Sequence, residues 1–163
     1  MNEKSENAKA CIGAAAGTDS VHRPAEPRWE HFEHKADIGV RGIGPTMAAA
    51  FEQAATALVA VCTDPARVRP VEEIRIQCEA PTPELLLIDW LNALIFEMAT
   101  RKMLFSRFKV QIHGARLEGV AAGEPIDVAR HEPAVEVKGA TYAELAVHEA
   151  RPGHWVAQCV VDV

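Results

Sequence analysis

Two histidines and an aspartate near the start of the predicted folded region could in principle bind a metal ion. His31, His34 and Asp37 follow the spacing H-x-x-H-x-x-D, which suits a zinc site if the segment is helical. The segment W-E-H-F-E-H-K at 29–35 alternates instead, which predicts a β-strand. Residues three apart on a strand point to opposite faces, so we do not expect His31 and His34 to bind one ion. We interpret His34 as an ordinary strand histidine.

Two aspartates offer a different chemistry. A turn is predicted at Ala36–Asp37, just before the strand D-I-G-V-R-G-I-G, so the Asp37 carboxylate can point at the end of a sheet. Asp162 lies in the terminal strand V-V-D-V, beside the free carboxylate of Val163. Such oxygen ligands suit Ca²⁺ or Mg²⁺ better than Zn²⁺. Two alternatives stay open: a turn aspartate that bonds nearby amides, and an aspartate at a frayed C-terminus.

Two further segments carry polar residues with two interpretations each. Lys138, in V-E-V-K-G-A-T-Y, is predicted to face solvent, either as an ordinary surface lysine or as a cation for a phosphate or an acidic partner. The segment 123–131, G-E-P-I-D through R-H, contains Asp127 and His131. It is either a solvated connection between strands or a recognition loop that lines the site.

The sequence contains little that could catalyse a reaction unaided. It has no glycine-rich phosphate loop, no nucleophile elbow and no C-x-x-C pair, so we predict that the protein is not an enzyme. The 163 residues include 17 Lys and Arg against 23 Asp and Glu, a net charge of −6. This balance argues against strong direct binding of nucleic acid and leaves room for a cation or a basic protein partner.

The cysteines predict a reducing environment. Cys11, Cys62, Cys78 and Cys159 are far apart in sequence, which is untypical of a zinc knuckle or a disulfide framework. We expect free thiols and a cytoplasmic protein. The N-terminus does not follow a signal-peptide pattern, and the longest apolar stretch is too short and polar to cross a membrane. The sequence leaves homo-oligomer formation open.

The chain is expected to form one domain with a tail. Residues 1–27 are small and polar and predict a weakly ordered tail, so the folded domain is placed at 28–163. Strands are predicted at 72–80, 105–114, 115–123, 135–142, 144–150 and 154–163, with 123–133 as a loop.

Two helices interrupt the predicted strands. Thr46 is a candidate N-cap for a helix that runs to about Cys62, and Thr82 with Pro83 starts a second helix that runs to about Thr100. Two helices followed by a run of strands predict an α+β fold. We expect a two-layer sandwich in which a mostly antiparallel sheet is covered on one face by the two helices.

Taken together, these segments resemble the archease family over residues 29–163. The motifs that carry the resemblance are H-K-A-D-I-G-V at 34–40, T-M-A-A-A-F-E-Q-A-A at 46–55, E-L-L-L-I-D-W-L-N at 84–92, G-E-P-I-D with R-H at 123–131, E-V-K-G-A-T-Y at 136–142 and the terminal V-V-D-V. Two positions depart from the family pattern, which more often has threonine at Lys35 and a bulkier residue at Gly139.

The resemblance implies a protein that assists an RtcB-type RNA ligase in tRNA splicing or RNA repair. Such a ligase uses GTP, and the family is understood to promote its guanylylation and multiple turnover. The family's metal ligands correspond to Asp37, Asp162 and Val163, with Ca²⁺ as the expected ion, and a functional lysine corresponds to Lys138. Two other functions stay open: a metal-dependent hydrolase that uses Asp37 with His34, and a chaperone-like protein-binding module.

Overall fold

The computed structural model describes residues 23–163, which form helices, one 3₁₀ turn and strands. The helical elements are α1 (Met47–Cys62), the 3₁₀ turn (Pro65–Arg67), α2 (Pro83–Arg101) and α3 (Val128–His131). The strands are β1 (Arg28–His34), β2 (Asp37–Gly44), β3 (Glu72–Glu79), β4 (Met103–His113), β5 (Arg116–Pro125), β6 (Gly139–Ala140), β7 (Ala146–Arg151) and β8 (His154–Asp162).

Both long helices begin where their capping residues predict. Thr46 Oγ1 accepts a hydrogen bond from the Ala49 N–H at 3.1 Å, and Thr82 Oγ1 accepts one from the Leu85 N–H at 3.3 Å. Pro83 occupies the first turn of α2, where its missing N–H costs no helical hydrogen bond. No helix among residues 23–163 combines the length and apolar character needed to cross a membrane.

The strands form two sheets in which every pairing is antiparallel. One sheet has the order β1-β2-β8-β6, with β7 also paired to β8, and the other has the order β3-β5-β4. The predicted α+β class is confirmed. The division into two sheets goes beyond the prediction, because sequence alternation does not say which strands pair.

The core lies between the helices and the sheets. Helix α1 contacts strands of both sheets, and α2 contacts β3, β4, β5 and β6. Trp90 is fully buried, and its Nε1 donates a hydrogen bond to the Phe51 oxygen at 3.1 Å. A Cβ on Gly42 of β2 would lie 2.0 Å from the Ala50 oxygen, so α1 approaches the β2 backbone as closely as a glycine allows.

Three local predictions are corrected. The predicted strand 135–142 is reduced to Gly139–Ala140, because only these residues pair with β8. The predicted loop 123–133 contains α3, a single helical turn capped by Asp127 and too short to show a periodic pattern. The turn before β2 lies at Lys35–Ala36 rather than Ala36–Asp37, with Lys35 in the left-handed region (φ 53°).

Most of the predicted tail lies outside the described residues, as does Cys11. Residues 23–27 contact the domain: Ala25 is buried, and its N–H donates to the Gly153 oxygen at 2.8 Å. The first strand then begins at Arg28.

The three cysteines of the described region are free thiols. Cys62 and Cys159 are buried and Cys78 is half-buried. Burial raises the pKa of all three, that of Cys78 to about 11 and that of Cys159 to about 12. They are therefore protonated and unreactive near neutral pH.

Candidate functional site

The strand register brings His34, Asp37 and Asp162 into one row across three strands. His34 pairs with Asp37 in the β1–β2 hairpin, and Ile38 pairs with Val161 between β2 and β8. Extending the second register by one residue places Asp37 opposite Asp162. Directly opposed residues of an antiparallel pair lie on the same face, with Cβ atoms about 5 Å apart. Two carboxylates distant in sequence thus meet at one end of the sheet.

This row lies on the face of the sheet that points away from α1. On the opposite face, Gly42 contacts α1 and the His31 Nε2 lies 2.7 Å from the Ala57 oxygen of that helix. Alternation along the strands then places His34 and Asp37 on the outer face. The expectation that His31 and His34 point to opposite faces is confirmed.

Neither aspartate has a protein partner among residues 23–163. Asp37 is partly exposed and Asp162 is exposed, and no hydrogen bond or ion pair from the described residues reaches either carboxylate. The alternative of a turn aspartate bonded to nearby amides is therefore not seen at Asp37. The alternative of a frayed end is wrong for Asp162, because it belongs to β8 and pairs with Gly139. Like charges directly opposite one another destabilise a strand pair, which favours a cation between them.

Lys138 is attached to the same end of the sheet. The backbone N–H of Lys138 donates to the backbone carbonyl oxygen of Asp162 at 2.8 Å. The Lys138 side chain is exposed, whereas the neighbouring Val137 is buried. The structure thus brings Lys138 next to Asp162 through the backbone.

Glu144 is a neighbour that the sequence pattern did not single out. Its Oε1 lies 3.9 Å from Nε2 of His34, although β2 and β8 separate β1 from the segment that carries Glu144. The backbone of Glu144 itself lies beside β8, where its oxygen accepts a hydrogen bond from Gln158 Nε2 at 3.0 Å, so the segment that carries Glu144 lies over the outer face of the sheet. The His34 Nδ1 is buried without a hydrogen-bond partner in the described region. No periodicity marks Glu144, because its position depends on the fold of the segment between β6 and β7.

The residues offer oxygen ligands for a hard cation but do not complete a site with side chains alone. Among residues 23–163, no group of three or more His, Cys, Asp and Glu side chains is arranged to hold a metal ion. Asp37 and Asp162 would need oxygens from the backbone, and Val163 follows Asp162 directly. The donor chemistry fits Ca²⁺ or Mg²⁺ and does not fit a structural zinc site.

Asp127 and His131 belong to a separate network, in which His131 and Glu124 are buried and Asp127 is exposed. The Asp127 N–H donates to His131 Nδ1 at 2.9 Å, so Nε2 is the ring nitrogen that can donate. This Nε2 donates to Glu124 Oε1 at 2.8 Å, and His131 is only 1% exposed. The Asp127 carboxylate caps α3. No hydrogen bond or ion pair of this network reaches Asp37 or Asp162, and the buried His131 is not available at the surface of the loop, whereas Ile126 and Asp127 are exposed.

Glu124 is the acceptor at the centre of this network. A hydrogen bond from the Arg69 N–H, at 3.0 Å, is the main cause of a lowered pKa of the Glu124 carboxyl. The hydrogen bond from His131 and the positive charge of Arg130, whose guanidinium nitrogen is 2.9 Å away, act in the same direction. The network therefore holds Glu124 ionised and joins the end of β5 to α3.

We predict that Glu124→Gln lowers the melting temperature most strongly near neutral pH. The pKa of Glu124 is lower in the folded chain than in the unfolded chain. The resulting stabilisation is present above the unfolded-state pKa and is lost as the pH falls through the folded-state pKa. Thermal unfolding from neutral pH to about pH 3, followed by circular dichroism, measures the gap between the two proteins. The exposed Glu118, which lacks an ion-pair partner in the described region, provides the control Glu118→Gln, and a gap that does not shrink in acid would contradict the prediction.

Comparison with known proteins gives one family. Residues 29–163 match the Archease protein family (MTH1598/TM1083). The protein archease of Thermococcus gammatolerans is 39% identical over 140 residues, which cover 83% of this chain and 99% of that protein. The protein archease of Methanopyrus kandleri is 40% identical over 139 residues, with coverage of 83% and 99%.

Solved structures agree with this result. The solution structure of protein 1598 of Methanobacterium thermoautotrophicum has a TM-score of 0.73 and 35% identity, and the match covers 83% of this chain and 98% of that one. The crystal structure of an archease from Thermotoga maritima, described as a possible chaperone, has a TM-score of 0.55 and covers 82% and 96%. Its identity of 19% supports the likeness of fold alone. With the family match spanning residues 29–163, this chain belongs to the archease family.

Proposed function

We propose that this protein activates an RtcB-type, GTP-dependent RNA ligase in tRNA splicing or RNA repair, by promoting guanylylation and multiple turnover of the ligase. Its membership of the archease family supports this role. The structural observation that carries it is the pair formed by the partly exposed Asp37 and the exposed Asp162, whose carboxylates are opposed across β2 and β8 without a hydrogen-bond or ion-pair partner in the described region. An activator must present a surface to its enzyme, and the solvent-accessible position of this pair supports such a role.

The proposal includes a divalent-cation site, with Ca²⁺ as the expected ion. Asp37 and Asp162 would supply carboxylate oxygens, and Val163 would supply backbone oxygens. A bound cation would offset the repulsion between the two carboxylates and present positive charge to a phosphate group of the ligase's nucleotide. Asp37 at the start of β2 and Asp162 at the end of β8 would hold such a cation, and the pairing of the two strands sets the separation of the two residues.

Lys138 adds a second positive charge at the same end of the sheet. Its side chain is exposed, and its backbone N–H donates a hydrogen bond to the backbone carbonyl oxygen of Asp162. We propose that Lys138 contacts a nucleotide phosphate or an acidic surface of the ligase. The net charge of −6 remains consistent with a protein partner rather than with direct binding of RNA.

A guanylylation assay tests the proposal. The cognate ligase is incubated with GTP labelled in the α-phosphate, with and without this protein and with Ca²⁺ or a chelator. We expect substoichiometric protein to increase the rate of label transfer to the ligase and the number of RNA joining events per ligase, and chelation to reduce both. A ligase rate that does not respond to the protein would refute the proposal.

The same preparation tests the two alternatives. His34 pairs with Asp37 in register but its Nδ1 has no partner in the described region, so no histidine is held as a base by that aspartate. Phosphoester turnover by the isolated protein with Mg²⁺ or Mn²⁺, suppressed by Asp37→Asn, would support a hydrolase. Suppression of aggregation of unrelated proteins would support a chaperone-like module.

A further inference from the structure

The segment E-L-L-L-I-D-W-L-N at 84–92 makes two polar contacts outside its own helix. Trp90 ties α2 to α1 through its hydrogen bond to the Phe51 oxygen. Asn92 reaches to the sheet instead: its Oδ1 accepts a hydrogen bond from the Ala140 N–H of β6 at 2.9 Å. Asparagine is unfavourable in the interior of a helix, because it competes for backbone hydrogen bonds. The hydrogen bond to β6 explains why an asparagine stands at this position of α2, which its helix propensity does not explain.

Strand β6 is short and is bonded to β8 on both flanks, since the Lys138 N–H donates to the Asp162 backbone oxygen and the Thr141 N–H and Oγ1 donate to the Val160 backbone oxygen. It consists of Gly139 and Ala140, which pair only with Asp162 and Val161 of β8. The Ala140 N–H donates to Asn92, so loss of the Asn92 oxygen would leave a half-buried N–H without its partner. A side chain of α2 therefore binds the Ala140 N–H of this two-residue strand, while β8 binds the residues on its two flanks.

Two residues of the proposed site are attached to β6. Lys138 directly precedes the strand, and its backbone N–H donates to the backbone carbonyl oxygen of Asp162 at 2.8 Å. Asp162 is itself the pairing partner of Gly139. A displacement of β6 would consequently move Lys138 and release one side of Asp162.

We propose that Asn92 is a positioning residue for ligase activation, which fixes β6 and thereby the exposed Lys138 and the Asp162 carboxylate. This inference rests on the proposed function. Asn92 is half-buried behind β6 and acts through the backbone of Ala140 without contacting the ligase.

The test compares Asn92→Leu, which keeps the size but removes the acceptor, with Asn92→Asp, which keeps an acceptor oxygen. Glu52→Leu is the matched control, because Glu52 Oε2 accepts the Val110 N–H at 2.8 Å and so makes the same kind of helix-to-strand contact in the other sheet. Hydrogen exchange of the Ala140 and Lys138 amides is measured by nuclear magnetic resonance. Stimulation of ligase guanylylation is measured below the melting temperature of every variant.

We expect Asn92→Leu to accelerate exchange of the Ala140 amide and to reduce stimulation, each by about tenfold. Asn92→Asp should retain both properties within about threefold, and Glu52→Leu should lower the melting temperature without reducing stimulation. Undiminished stimulation by Asn92→Leu, or an equal loss in Glu52→Leu, would overturn the inference while leaving the proposed function intact. An absence of stimulation by the unmodified protein would instead overturn the proposed function, and this inference with it.

Discussion

Asp37→Ala and Asp162→Ala are each expected to reduce stimulation of ligase guanylylation to the level seen without added protein, while the fold is retained. The two residues are opposed on the outer face of the sheet, and their carboxylates accept no hydrogen bond and form no ion pair in the described region. Their removal should change the free energy of unfolding by no more than about 0.5 kcal/mol. Relief of the repulsion between opposed like charges acts in the stabilising direction. Label transfer from GTP to the ligase and melting by circular dichroism measure the two effects.

The control for these variants is Asp89→Ala. Asp89 is exposed on α2 and, among the described residues, forms no ion pair. The variant Asp89→Ala should leave stimulation unchanged. It has the same net charge as the two site variants, so it separates the position of the lost charge from the change in total charge. Normal stimulation by both Asp37→Ala and Asp162→Ala would exclude the carboxylate pair from the function and remove the case for a cation there.

Gly42→Ala is expected to destabilise the protein by about 3 kcal/mol or more. A Cβ at this position would lie 2.0 Å from the Ala50 oxygen and 2.3 Å from the Ala54 nitrogen. Both atoms belong to the backbone of α1, so the helix would have to move away from β2, with loss of contacts across the core. Urea denaturation of the variant and the unmodified protein measures the difference in free energy of unfolding.

Gly114→Ala separates lack of space from strain in the backbone. Gly114 has φ +59° in the turn between β4 and β5, and no atom lies within 4 Å of a Cβ built there. The left-handed conformation alone should cost about 1 kcal/mol. If Gly42→Ala lowered the free energy of unfolding by no more than Gly114→Ala does, the close packing of α1 against the β2 backbone would not be what requires glycine at position 42.

The helices could be predicted from sequence because their signals are local. Thr46 and Thr82 each precede an apolar stripe at helical spacing, and each accepts the hydrogen bond from an N–H three residues later. Strand β6 could not be predicted at its true length. The alternation of V-E-V-K-G-A-T-Y is compatible with a longer strand, but pairing with β8 ends after Ala140.

The candidate site was predicted as a set of residues but not as an arrangement. The sequence marks Asp37 and Asp162 as unusual carboxylates, whereas their opposition follows from the β2–β8 register, which joins distant parts of the chain. His131 was expected in a polar loop and is buried. Its burial depends on Glu124 and on the Arg69 backbone, contacts that no periodicity reveals.

The position of β8 has a consequence for how the protein is made. This strand is the last in chain order, yet it lies between β2 and the pair β6 and β7. During synthesis from the N-terminus, the β1–β2 hairpin therefore exposes an unpaired edge until β8 has left the ribosome. Closing this long-range pairing is slow relative to forming the helices. Asp37 gains Asp162 as its neighbour only when β8 pairs with β2, so a nascent chain that still lacks β8 carries one half of the candidate site.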